Sequence, residues 1–105
     1  MLDPTEFASL ASLVLSEAQV IADLARRVTK SDRQAHRRAL HNQACASLKR
    51  AEEHEQQLEF TWKGLAISRD RRYDYAMGAA SNALRFARFE MKLATEFLFR
   101  KEVEQ

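Results

Sequence analysis

Apolar residues recur three and four positions apart through almost the whole chain, and polar breaks divide the pattern into three long helices. The first helix carries Phe7, Leu10, Val14, Ala18, Ile21, Leu24, Ala25 and Val28 on one face. Its start is written in Asp3-Pro4-Thr5-Glu6: an aspartate cap, proline in the first turn and a glutamate placed to complete a capping box. Its end near Lys30 is basic, as the negative end of a helix dipole favours. Ser31 and Gln34 then read as a second capping box. The second helix follows with Leu40, Ala44, Leu48, Ala51, Leu58, Trp62 and Leu65. Gly64 stands where a C-terminal glycine belongs, and Ser68 or Asp70 can cap the third helix. The expected helices cover residues 4–30, 32–65 and 69–103. Long helices joined by short corners predict one all-α domain, an antiparallel up-down-up three-helix bundle.

The three faces differ in width. Helix 2 has a narrow apolar stripe, and helix 1 is apolar over about half its circumference. Helix 3 carries two stripes side by side. One is Met77, Ala80, Leu84, Ala87, Met91, Ala94 and Leu98, at near-heptad spacing suited to coiled-coil packing. The other passes through Ala76, Ala79, Ala83, Phe86, Leu93 and Phe97, with Phe89 beyond it. A three-helix bundle uses about 140–180° of each helix. Helix 3 has more, so the bundle is expected to be completed by self-association or a partner helix through Phe86, Phe89, Leu93 and Phe97.

Composition agrees with this class and narrows the function. The chain has 105 residues with two glycines, one proline and a formal net charge of +2. That is too little glycine and proline for a turn-rich β fold. No uninterrupted run of about 18 apolar residues occurs, so no membrane span is expected. The first residues lack a signal-peptide build, and a single cysteine, Cys45, fits a reducing compartment. A cytoplasmic protein is the expectation.

The motif Trp62-Lys63-Gly64 resembles the W-x-G turn of the small secreted helical hairpins of type VII secretion. The likeness rests on Trp62 and Gly64; a whole helix precedes them, and no Y-x-x-x-D/E signal follows helix 3. The motif is therefore read as a helix–helix corner.

Three polar residues sit within apolar arcs: Glu17, Ser47 and Glu90. With short corners, Glu17 and Glu90 are expected at one level with His41 and Cys45, forming a buried polar layer. His41 and Cys45 share a helix face, yet their wheel positions do not favour a metal site. Paired carboxylates are expected instead, because an unpaired buried carboxylate is costly. His54, within Glu-Glu-His-Glu, reads as part of a solvated face. From Arg26 to Arg38 six Arg or Lys oppose one Asp. Arg26, Arg27, Arg33, Arg37 and Arg38 thus offer contacts to an acidic partner or to phosphate, although no aromatic residue is interleaved among them. No phosphate loop, nucleophile elbow or credible Cys–His pair is present, so neither a catalytic residue nor a cofactor is expected.

The sequence therefore points to a non-enzymatic helical interaction protein, an adaptor, chaperone, antiactivator or inhibitor, that forms a homo-oligomer or binds a heterologous helix. The alternative is a regulator that binds nucleic acid through its basic corner.

Overall fold

The structure, a computed structural model, describes residues 2–66 and 70–104. Three α-helices follow one another: α1 over Pro4–Lys30, α2 over Gln34–Leu65 and α3 over Arg71–Glu104. They form the expected three-helix bundle, a rod of 56 × 17 × 16 Å. The packing is uneven. α1 contacts both other helices extensively, whereas α2 and α3 touch each other least.

The capping of α1 is as the sequence indicates. The Asp3 carboxylate accepts the Glu6 N–H at 2.8 Å, and the Glu6 carboxylate accepts the Asp3 N–H at 3.1 Å. The first corner differs from expectation. Ser31 caps the C-terminus of α1, its N–H bonding to the Arg27 carbonyl, and α2 begins only at Gln34 behind Arg33. The Ser31 hydroxyl does accept a backbone N–H, but it is that of Arg33, in a turn outside the helix. Gln34 returns no capping bond. Its side-chain oxygen accepts from Arg37, and its Nε2 is buried without a partner among the described residues. The expected box does not form, and the Arg37 side chain instead bonds the Ser31 carbonyl.

The second corner departs in its backbone. Gly64 lies inside α2 with negative φ, and among the described residues the one with positive φ is Ala66, at φ 45° and ψ −119°. Those angles are near those of the first central residue of a type II′ turn, a position that favours glycine. Ser68 lies outside the described residues. Asp70 does cap α3, accepting the Arg72 N–H at 2.8 Å. Trp62 braces the corner, its Nε1–H donating to the Asp74 carboxylate at 2.7 Å.

The core consists of the predicted α1 series, with Leu10 only half-buried, meeting the near-heptad stripe of α3. Phe7, Val14, Ile21, Val28, Leu58 and Leu84 are its largest fully enclosed side chains. Phe7 meets Tyr73 edge to face, ring centroids 4.9 Å apart, near the end of the rod where the N-terminus lies. Every member of the stripe from Met77 to Leu98 is buried. α2 contributes small residues, Ala44 and Ala51, beside Leu40 and Leu58, which lets it sit close to α1 on a narrow stripe. α1 is long and apolar enough to cross a membrane by length and composition, although scattered polar residues interrupt its apolar run. Here its apolar face fills the bundle core.

Candidate functional site

On α3 the buried stripe and the second stripe part company. Phe86, Phe89 and Leu93 remain 51%, 57% and 42% exposed. They lie three and four residues apart, so they form one row on the helix surface turned from the core. Phe97, expected to continue the row, is half-buried against the core. The Arg37, Arg100 and Lys101 cations lie over its ring at 5.4–5.9 Å. The reason is the first turn of α2, from which the Arg37 side chain reaches over this part of α3.

Beside the row runs a groove between α1 and α3. Leu15, Gln19 and Ala22 line it from α1, and Ala83 and Phe86 from α3. Arg26 bounds it, its guanidinium 5.7 Å from the centre of the Phe86 ring and 3.7 Å from the Glu90 carboxylate. The outward surface therefore combines half-exposed rings with the flank of α1.

The polar residues do not form one layer. Glu17 accepts a hydrogen bond from His54 Nδ1 at 2.8 Å, with side chains 15% and 29% exposed. Glu90 pairs with Arg26 instead, nine residues further along α1, or roughly 13 Å at 1.5 Å per residue. Ser47 borders the same hollow as Glu17 but accepts from Arg50 at 3.2 Å. Glu90 is far from Glu17 because α1 and α3 run parallel in the register that sets Phe7 against Tyr73, which brings Glu90 level with the Arg26 end of α1. The Glu17–His54 pair escapes level-matching by Cα position for another reason, since helical side chains lean toward their own N-terminus. In antiparallel helices those leanings are opposed, so residues that meet are offset by several positions. His54, read from sequence as solvated, is thus the partner of Glu17.

His41 and Cys45 are neighbours, Sγ lying 3.8 Å from Nδ1. His41 Nε2 is held 2.8 Å from the Thr95 hydroxyl, which itself donates to the Met91 carbonyl. The hydroxyl must therefore accept from Nε2–H. Cys45 is exposed, and partial desolvation where it sits against the helix surface raises the pKa of its thiol. Among the described residues no three His, Cys, Asp or Glu side chains converge to hold a metal ion.

The basic corner is largely occupied within the chain. Arg37 is buried, donating from Nε to the Ser31 carbonyl at 2.8 Å and from a terminal nitrogen to Gln34. Arg38 pairs with Glu102 at 3.1 Å, and Arg26 with Asp23 and Glu90. Arg27 and Arg33 are exposed. The sequence signal missed Arg88, which joins α3 to α2 through Glu55 at 2.8 Å and Glu52 at 3.4 Å. Its offset from those glutamates follows the same antiparallel lean.

Compared with known protein families, curated proteins and solved structures, the chain matches none.

Proposed function

We propose that this chain is a small non-enzymatic helical interaction module, an adaptor, chaperone, antiactivator or inhibitor, that binds another helix through α3. The observation that carries this reading is the row Phe86, Phe89 and Leu93, half-exposed beside an open groove. Three such side chains in register are what helix-in-groove recognition employs, and a contiguous apolar patch is costly to leave in water. Leu15, 38% exposed on α1, widens the same surface. The internal engagement of Arg26, Arg37 and Arg38 supports a protein partner over phosphate. A cytoplasmic site of action fits the lone cysteine.

The test is the solution mass of the wild type and of Phe89→Glu, at low and high salt, alone and with any co-purifying protein. Assembly that withstands salt and disappears in Phe89→Glu, with helix content retained by circular dichroism, is the expected result. Assembly unchanged in both Phe86→Glu and Phe89→Glu would place the interface elsewhere. Phe97→Glu is less suitable, since that ring packs beneath Arg37 and its loss disturbs the corner.

A further inference from the structure

We infer that the partner of α3 is α3 of a second copy, aligned parallel and in register. This rests on the reading of α3 as the binding face and adds the partner's identity and direction. The exposed row is part of a longer seam: Ala79, Asn82, Phe86, Phe89 and Leu93 follow one another at alternating spacings of three and four. That is a two-position heptad seam, separate from the stripe buried in the bundle. Glu96 and Arg100 end it with charge, and Tyr75, 84% exposed, extends it at the other end.

Two features choose the direction. The first is Asn82, the one polar residue among these five seam positions. In parallel register the two Asn82 side chains face each other and their amides can hydrogen-bond. In an antiparallel pairing centred between Phe86 and Phe89, each Asn82 opposes Leu93 and its amide is buried without a partner. The second feature is charge. Arg85 and Lys92 flank one side of the seam, and Ala83 and Glu90 the other. Parallel helices bring Arg85 to Glu90 of the second copy, twice by symmetry. Antiparallel helices bring Arg85 to Lys92, also twice. Glu90 meets its own Arg26 at 3.7 Å, beyond hydrogen-bond distance, so it retains acceptor capacity for a second guanidinium.

The size of the surface sets the strength. A phenylalanine presents about 200 Å², so the exposed fractions of Phe86, Phe89 and Leu93 amount to about 300 Å² per copy. Two copies bury about 600 Å² of apolar surface from these residues, with Tyr75, Arg85 and Lys92 around them. That is about half of what the smallest standard interfaces bury, so the flanking residues must add to it and the pairing is weak, with a dissociation constant on the order of 10 μM.

The experiment uses the full chain with Cys45→Ser, carrying either Asn82→Cys or Leu93→Cys, oxidised near equilibrium at about ten times that concentration. Parallel pairing predicts that Asn82→Cys cross-links to itself. It also predicts that Arg85→Glu, without added cysteines, weakens the dimer on the order of five-fold by light scattering. Cross-linking only between mixed Asn82→Cys and Leu93→Cys chains overturns the direction. So does strengthening by Arg85→Glu, because that change would relieve an Arg85–Lys92 clash. A monomer under all these conditions overturns self-pairing altogether. If that monomer still forms a complex with another protein, lost on Phe89→Glu, the α3 module stands and this inference fails alone.

Discussion

Replacing His54 by alanine leaves the Glu17 carboxylate largely enclosed between α1 and α2, and this is the most direct test of how the bundle holds its polar groups. The pair is 2.8 Å apart, with only 15% of the Glu17 side chain reaching water. A hydrogen bond to a charged group contributes about 1.5–3 kcal/mol, and an enclosed group left unsatisfied costs about 1–3 kcal/mol. Arg50 borders the same hollow and can turn from Ser47 toward Glu17, so part of the loss is offset. The expected cost of His54→Ala is therefore about 1–2 kcal/mol, a fall in Tm of roughly 5–15 °C for a chain of this size. Replacing both partners by leucine removes the need for pairing and should recover most of that loss. Urea unfolding followed by circular dichroism measures both, in a Phe89→Glu background so that association does not contribute. If His54→Ala lies within about 0.5 kcal/mol of its parent, or the double leucine variant is the less stable, the pair does not satisfy a buried charge and the reasoning is wrong.

Three further outcomes follow from the corners, caps and helix surface. Ala66 occupies a backbone conformation suited to glycine, so Ala66→Gly should raise stability by about 1 kcal/mol, and a loss of stability in thermal melts would show that the corner is not strained there. Gly78 lies in α3 with open space where a Cβ would be placed. Gly78→Ala should therefore stabilise the Phe89→Glu monomer by about 0.5–1 kcal/mol, read from the same melts. The Asp3 carboxyl is held below its ordinary pKa chiefly by the Glu6 N–H, and that of Asp70 chiefly by the Arg72 side chain. A folded pKa below the unfolded one gives a contribution present above the unfolded value and lost as pH falls through the folded one. The first turns of α1 and α3 should thus fray in acid below about pH 4, seen as faster amide exchange there than in the helix centres; uniform exchange along the chain would contradict it.

How much of this was legible follows from the physics of each feature. Local signals carried the helices: the Asp3–Glu6 box, the three-four spacing and the polar breaks all act within one or two turns. Signals failed at the corners. Ser31 lost its expected capping role because it closes α1 and α2 begins only behind Arg33, and Gly64 was given the positive-φ position that Ala66 takes. Neither shift leaves a mark in the spacing of residues. Cross-helix pairs were the least legible. Glu17–His54 and Arg88–Glu55 depend on the lean of side chains in opposed helices, which shifts partners away from Cα-level arithmetic.

The candidate surface was legible for a different reason. A helix in a three-membered bundle buries one arc, and on α3 that arc is filled from Met77 to Leu98 by one complete near-heptad stripe. α1 covers part of the second stripe, half-burying Ala76 and Ala83, and Arg37 at the start of α2 covers Phe97. Nothing in the bundle's geometry requires Phe86, Phe89 and Leu93 to be apolar, since lysine or glutamate at those exposed positions would leave the core unchanged. A face that folding does not need, spaced as a helix partner would read it and ended by Glu96 and Arg100, is therefore best explained by an encounter outside the monomer.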